Sequence, residues 1–371
     1  MNVLGIISYK VFPAHMGGQK DIANFYRHLS EEANITLAVS SDNEAADFLS
    51  VQTHSFLFNH WFGFLNFIYL KRLINLIKTN KIDISIIEHS YFGWLGYLLK
   101  VFTGKLFVIH SHNIESHRFL ITGKKWWRMY EWYEKWIHQK ADHNFFKCEE
   151  DLQYAIDEWN LNSNKCTVIP YGTDLSESPG KEEKKLCRNK IVQEFSLKDH
   201  YTLFYFNGTL NYAPNTDAIN SIMHQLIPFL REQNFSFYII LSGNRMATEL
   251  TARIKKYPEI INAGFVDDVS IYLKGVDVFI NPTSIATGIK TKLVEALAND
   301  TTVISTETGA RGIDKKITGD KLILIADGND KTFALEMIKA KFNIVHIPEE
   351  FYNNFYWKNI INKALLSLRS L

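Results

Sequence analysis

The stretch NPTSIATGIKTKLVEALANDTTVISTETGARG, Asn281–Gly312, decides how this chain folds. It reads as the end of a strand, a loop rich in glycine, lysine and threonine, a short helix, a second strand and a glycine loop. The loop carries Thr287, Gly288, Ile289 and Lys290 and opens directly into a helix over Thr291–Leu297. Free backbone N–H groups, the positive end of a helix dipole and the ammonium groups of Lys290 and Lys292 meet there. That combination is what a phosphate requires. One turn further on, Glu295 lies on the same side as Thr291 and Lys292, where a carboxylate can accept from the two hydroxyls of a ribose. Phosphate with ribose means a nucleotide. A crossover helix whose loop merely happens to be basic accounts for the same residues, and this segment alone does not choose between the two.

Outward from that stretch, strand-like and helix-like runs alternate. Val3–Ser8, Ile35–Val39, Ile84–Glu88, Leu106–His110, Asn144–Phe146 and Thr167–Ile169 are short and apolar, with amphipathic stretches such as Asp21–Glu32 and Leu65–Thr79 between them. Apolar strands bounded by helices imply a parallel sheet covered on both faces. The polar run Ser176–Lys185, with its Pro and Gly, reads as a linker. The alternation restarts at Tyr201–Phe206, Ser236–Ser242, Val278–Asn281, Val303–Ser305 and Leu322–Ile325. The expected architecture is therefore α/β, two successive doubly wound domains over residues 1–178 and 179–348. Residues 349–371 form a final helix returning to the first domain, with Phe355, Ile360, Ile361, Leu365 and Leu368 as its apolar stripe.

Composition fits this picture. A chain of 371 residues exceeds one comfortable core. Its 46% hydrophobic and 22% charged residues are those of a globular protein. A net charge of +1 gives no reason to expect nucleic acid. Three cysteines, Cys148, Cys166 and Cys187, form no CxxC pair, so neither a disulfide framework nor a zinc site is indicated. The N-terminus lacks a signal-peptide pattern and no run approaches a membrane span, so a cytoplasmic location is expected.

Two further strand ends carry candidate chemistry. Gly17 and Gly18 let backbone approach a ligand ahead of a helix, although a tight turn explains them equally. The absence of GxGxxG argues against a dinucleotide. His110 and His112 in VIHSHNIES invite a metal, yet no acidic or cysteine cluster accompanies them, and a polar strand end is the simpler reading.

In order, these pieces resemble the retaining, nucleotide-sugar-dependent glycosyltransferases built from two Rossmann-like domains (the GT-B type), family 4 in particular. The resemblance spans nearly the whole chain. It runs through the Gly17-Gly18 loop, the strand end His112, Asn113 and Glu115, and IPYGTDL (Ile169–Leu175). It continues with FNGTLNYAPNTDAI (Phe206–Ile219), AGFVDDVSIYL (Ala263–Leu273), DVFINP (Asp277–Pro282) and GIKTKLVEALA followed by TGARGI. Each motif is weak alone; their order and spacing are specific.

The resemblance implies two domains facing across a cleft and a nucleotide-sugar donor held by Gly17, Gly18, Gly208, Asn215, Thr287, Gly288, Ile289, Thr291, Lys292 and Glu295. It implies His112 against the donor sugar, front-face transfer with retention, and no metal or other cofactor. Asp267-Asp268 reads as a helix cap rather than a metal motif. Two departures stand out: Thr287 occupies the position of the family's first donor-site Glu, and no Arg or Lys follows Gly208 to meet the diphosphate. The charge is then expected from Lys290, which lies in the loop, ahead of Lys292, which belongs to the helix.

For the acceptor, residues 58–147 hold thirteen Lys and Arg against six Asp and Glu. Aromatics interleave with them in HWFGFLNFIYLKR (His60–Arg72) and KKWWRMYEWYEKW (Lys124–Trp136). Such segments suit an anionic membrane surface and a lipid-linked glycan acceptor, while ordinary core packing accounts for them as well. The reading is a glycosyltransferase of cell-envelope or capsular polysaccharide synthesis. A nucleotide-sugar epimerase of the same fold and a silent sugar-nucleotide-binding protein are the alternatives.

Overall fold

The computed structural model describes residues 1–44, 51–285 and 288–371. The chain forms two compact units. The first comprises Met1–Gly172, Thr287–Ile289 and Trp357–Leu371; the second comprises Thr173–Ala286 and Lys290–Tyr356.

The first unit is built on seven strands: β1 (Asn2–Ile7), β2 (Asn34–Ser40), β3 (Val51–Leu57), β4 (Ile84–Glu88), β5 (Leu106–His110), β6 (His143–Phe146) and β7 (Cys166–Val168). All pair in parallel in the order β3-β2-β1-β4-β5-β6-β7. The second unit has six: β8 (Thr202–Asn207), β9 (Phe237–Ser242), β10 (Ile260–Gly264), β11 (Val278–Asn281), β12 (Thr302–Thr306) and β13 (Leu322–Ile325). These are parallel in the order β10-β9-β8-β11-β12-β13. Every residue of β4, β8, β11 and β12 is buried, as a sheet covered on both faces requires. Strand order reverses between β1 and β4 and between β8 and β11, and ligands of such sheets sit at the carboxyl ends beside that reversal.

The strands missing from the sequence reading, β3 and β10, are both sheet edges. Pairing on one side leaves their residues half-buried, and VQTHSFL and IINAG carry no continuous apolar run, unlike the other edges β7 and β13, which the sequence did show. The expected linker Ser176–Lys185 is shorter than predicted, because a helix starts at Lys181 and runs to Glu194. Most of its charges face solvent, while Lys184 and Arg188 are half-buried and pair with Asp300 and Asp277. Glu182 and Glu183 favour the dipole of its first turn. The stretch predicted as a helix from Leu65 begins as a 3-10 segment (His60–Tyr69), and the α-helix covers Leu70–Thr79.

The expected C-terminal stripe divides at Tyr356. Phe355 ends the helix Glu349–Phe355 of the second unit. Ile360, Ile361, Leu365 and Leu368 are buried on the helix Trp357–Arg369, which packs on the helix Gly17–Leu29 of the first unit. His28 stacks on Trp357 there at 5.8 Å between ring centroids.

Candidate active site

In the second unit, β8 delivers Phe206 and Asn207 to the sheet's carboxyl edge, where Gly208 turns the chain at φ 153°. A Cβ on Gly208 would lie 2.6 Å from Asn215 Nδ2, so only glycine lets Asn215 close over the strand end. Asn215 Nδ2 donates to the Thr209 carbonyl at 2.9 Å, which turns its Oδ1 toward Lys292 Nζ at 3.3 Å. Lys292 also donates to the Asn207 carbonyl at 3.4 Å and lies 4.1 Å over the Phe206 ring. The sequence reading favoured Lys290 and left Lys292 to the helix. The structure instead brings Lys292 back from the helix Thr291–Ala298 to the end of β8, together with Gly208 and Asn215.

Burial, with Lys290 beside it, depresses the Lys292 ammonium to about 7. Lys290 caps the same helix; burial and the neighbouring Arg311 bring it to about 8. Cations are thus gathered at a helix N-terminus at a cost that a bound anion would relieve. Thr291 and Glu295 are half-buried one turn apart, while Leu293, Val294, Ala296 and Leu297 face the core. Asn281 locks the adjoining loops, donating to Ser305 Oγ at 3.0 Å and to the Gly309 carbonyl at 3.2 Å. Gly288 has φ 60° and groups with the first unit, where a Cβ would collide with the Asn113 side chain; Ile289 is half-buried. Thr287 lies outside the described residues. Asp268 is a helix cap, accepting from the Ser270 N–H at 2.9 Å.

In the first unit, Gly17 and Gly18 open the helix Gly17–Leu29, and a Cβ on Gly18 would stand 3.9 Å from the Tyr9 hydroxyl. His112 lies in a buried ionic network that the sequence did not disclose. Its Nε2 meets Glu88 Oε2 at 2.6 Å and its Nδ1 meets Asp21 Oδ2 at 3.2 Å. Asp21 is also bridged by Lys147 at 2.8 Å, and His110 Nδ1 meets Glu88 Oε1 at 3.1 Å. Glu115 takes Arg118 Nε at 2.6 Å and His89 Nδ1 at 3.0 Å. Contrary to the expectation that no acidic cluster accompanies the His-x-His pair, two carboxylates do: Glu88 ends β4, alongside β5, and Asp21 comes from the helix after β1. Glu88-His89 at a strand end was the signal available.

With both ring nitrogens engaged by carboxylates, His112 has none left to donate to a sugar hydroxyl. Burial lowers its pKa, but the bonds to Asp21 and Glu88 outweigh burial and leave it raised. As an imidazolium, with Lys147 and Arg118, it balances Asp21, Glu88 and Glu115. Ligand atoms of Glu88, His110 and His112 lie within 4.8 Å of one another, close enough for a metal. A divalent ion there would displace the His112 proton and leave the network with excess positive charge, so this donor set fits a proton better than a metal.

Two family patterns match the chain: Glycosyltransferase Family 4 over residues 16–177 and Glycosyl transferases group 1 over residues 202–340. Over 304 residues the chain is 24% identical to an Escherichia coli UDP-Gal:alpha-D-GlcNAc-diphosphoundecaprenol alpha-1,3-galactosyltransferase, covering 79% of this chain and 73% of that one. Among solved structures, a Rickettsia africae glycosyltransferase has a TM-score of 0.75 at 14% identity, covering 100% of this chain and 98% of its own. Anabaena HepE, solved with UDP, has a TM-score of 0.75 at 15% identity, with 100% of both chains covered. At such identities the structural likenesses speak to fold.

Proposed function

Because this chain belongs to the GT-B, family 4-like glycosyltransferases, we propose that it transfers a sugar from a UDP-sugar to a lipid-linked glycan during cell-envelope or capsular polysaccharide assembly. The observation that carries this reading is the cradle at the ends of β8 and β11. There Lys290 and Lys292, both depressed by burial, converge on a helix N-terminus beside Gly208 and Asn215. The E. coli relative's name supplies the donor class and the diphosphate-lipid acceptor.

Breaking the anomeric bond puts negative charge on the leaving diphosphate. Preset ammonium and N–H groups stabilise that charge more in the transition state than in the ground state. The proposal includes retention, by front-face attack of the acceptor hydroxyl, and independence of metal. Lys292 and Lys290 meet the diphosphate charge.

The first test is thermal unfolding with UDP, GDP, ADP and their sugars. A ligand at a hundred times its dissociation constant adds about 2.7 kcal/mol of stability. Transfer to an α-GlcNAc-diphosphate lipid should persist in chelator and yield UDP with an α-linked product. An altered free sugar would indicate an epimerase, and binding without a product would indicate a silent binder. Hydrogen bonds from ribose hydroxyls to a charged acceptor contribute about 1.5–3 kcal/mol. Glu295→Gln is therefore expected to weaken UDP binding at least about tenfold; unchanged calorimetric affinity rejects the ribose assignment.

Contact with an anionic membrane is proposed for the first unit. Met129 and Trp132 are each 70% exposed on the helix Trp127–Lys140, with Lys124, Lys125 and Arg128 exposed beside them. Phe62, Phe64 and Phe67 are exposed on the 3-10 segment. Basic residues near such a surface contribute about 1 kcal/mol each. Replacing Lys124, Lys125 and Arg128 with Gln should sharply reduce sedimentation with anionic vesicles and leave neutral vesicles unaffected. No sedimentation of the unaltered protein at low salt would end this reading. No described helix is long and apolar enough to cross a membrane.

A further inference from the structure

Tyr9, just beyond β1, is half-buried, and its hydroxyl lies 3.2 Å from His89 Nε2. On the other side of that ring, Nδ1 lies 3.0 Å from Glu115 Oε1. The remaining Glu115 oxygen accepts from Tyr91 Oη at 2.6 Å and from Arg118 Nε at 2.6 Å. His89 is held in place by stacking on His112, 4.3 Å between centroids, and by the edge of Tyr9 at 5.3 Å. Its backbone sits at φ 62° and ψ 162°, a region that side chains rarely occupy. Strain of this kind persists only where the surroundings enforce it, and it concentrates at working sites.

We propose that Tyr9, His89 and Glu115 form a one-way hydrogen-bond chain that leaves the Tyr9 oxygen as an acceptor for the hydroxyl of the incoming glycan. The direction follows from the inventory of donors. An ionised carboxylate only accepts, so His89 carries its hydrogen on Nδ1, and a neutral ring then has a bare Nε2. Burial and the charge of His112 lower His89 and keep it neutral, while its partners keep Glu115 ionised despite burial, at about 2. Tyr9 must therefore donate inward, leaving only lone pairs facing outward. Beside it the exposed Gly18 presents no side chain to cover the phenol oxygen; a Cβ there would stand 3.9 Å from it. A substrate hydroxyl meeting it must donate, which turns that hydroxyl's own lone pair toward its target. Tyr9 is the contact; His89 and Glu115 are positioning residues.

The inference rests on the glycosyl-transfer reading and is separable from it. With a UDP-sugar and the α-GlcNAc-diphosphate lipid, Tyr9→Phe should raise the acceptor KM roughly five- to tenfold, the range of one neutral hydrogen bond. It should leave UDP affinity within about twofold, as the contact is to the acceptor alone. An unchanged acceptor KM, or a loss confined to UDP affinity, overturns the proposal. Nitrogen-15 spectra of His89 decide the direction of the chain without any turnover. The Nδ1–H form should be present in the unaltered protein, with the Nε2 signal shifting in Tyr9→Phe. An Nε2–H form overturns the proposal even if transfer is observed. If that chain is present and no acceptor is glycosylated, it is the transfer reading that has failed.

Discussion

At pH 8, UDP binding should draw up to about one proton onto the protein, and Lys292→Met should remove most of that uptake. In the free protein the Lys292 ammonium, depressed to about 7, is largely deprotonated at this pH. A diphosphate beside it supplies the missing counter-charge and raises the pKa, so binding and protonation are coupled. Affinity should accordingly fall as pH rises from 7 to 9. The unliganded fold behaves oppositely. A lysine whose folded pKa lies below its unfolded value disfavours folding below that folded pKa, and the penalty is relieved as pH climbs toward the unfolded one. Calorimetry in buffers of different ionisation enthalpy reads the uptake directly.

In turnover, removal of a preset group facing developing charge costs about 10²–10³-fold, and Lys292→Met is expected near that range. Lys290→Ala should have a smaller effect, since Lys290 is depressed only to about 8, whereas Lys292 is depressed to about 7. Buffer-independent binding heats together with normal turnover in the Lys292 variant would remove the diphosphate from this cradle.

The difference between Lys290 and Lys292 shows where sequence reading reaches its limit. The loop that joins glycine, ammonium groups and a helix start was legible because its chemistry is local: these lie within a few residues of one another. The direction of Lys292 was not, because it is set by Asn207 and Asn215, far earlier in the chain. The strands that decide the fold were legible where both faces are buried, as in β4, β8 and β11, and at the edges β7 and β13, whose short runs are mostly apolar. The edges β3 and β10, VQTHSFL and IINAG, are broken by polar residues and were missed. His112 was found from its position after a strand, yet its environment depends on Asp21, Glu88 and Lys147, which only the sheet order brings together. A histidine that looked like a sugar contact thus has both nitrogens committed inside the protein.

That commitment leads to the largest expected effect on stability. Lys147 is 1% exposed and Asp21 5% exposed, and Asp21→Asn would leave the ammonium buried without its carboxylate. Breaking such a pair from one side costs about 3–5 kcal/mol, whereas replacing both partners with apolar groups is often near neutral. Asp21→Asn should therefore destabilise the first unit by about that much, and the double variant Asp21→Leu with Lys147→Met should recover a large part.

The network also predicts a pH signature. His112, raised by its carboxylates against burial, contributes stability that is fully present below 6.5 and is lost as pH rises through its folded value. Glu88, buried but held well down chiefly by His110 and His112, contributes stability above the ordinary carboxylate range and loses it in acid. His89 and His110, lowered by burial, act in the acid range too: below 6.5, stability falls as pH drops toward their folded values. Among the network's histidines, only His112 then governs the limb above 6.5. The stability difference between the unaltered protein and His112→Gln, from denaturant unfolding, should be greatest near pH 6 and shrink as pH rises. A difference that stays constant from pH 6 to 9 would mean that His112 is not held as an imidazolium, and the charge balance that disfavours a metal in this cluster would fail with it.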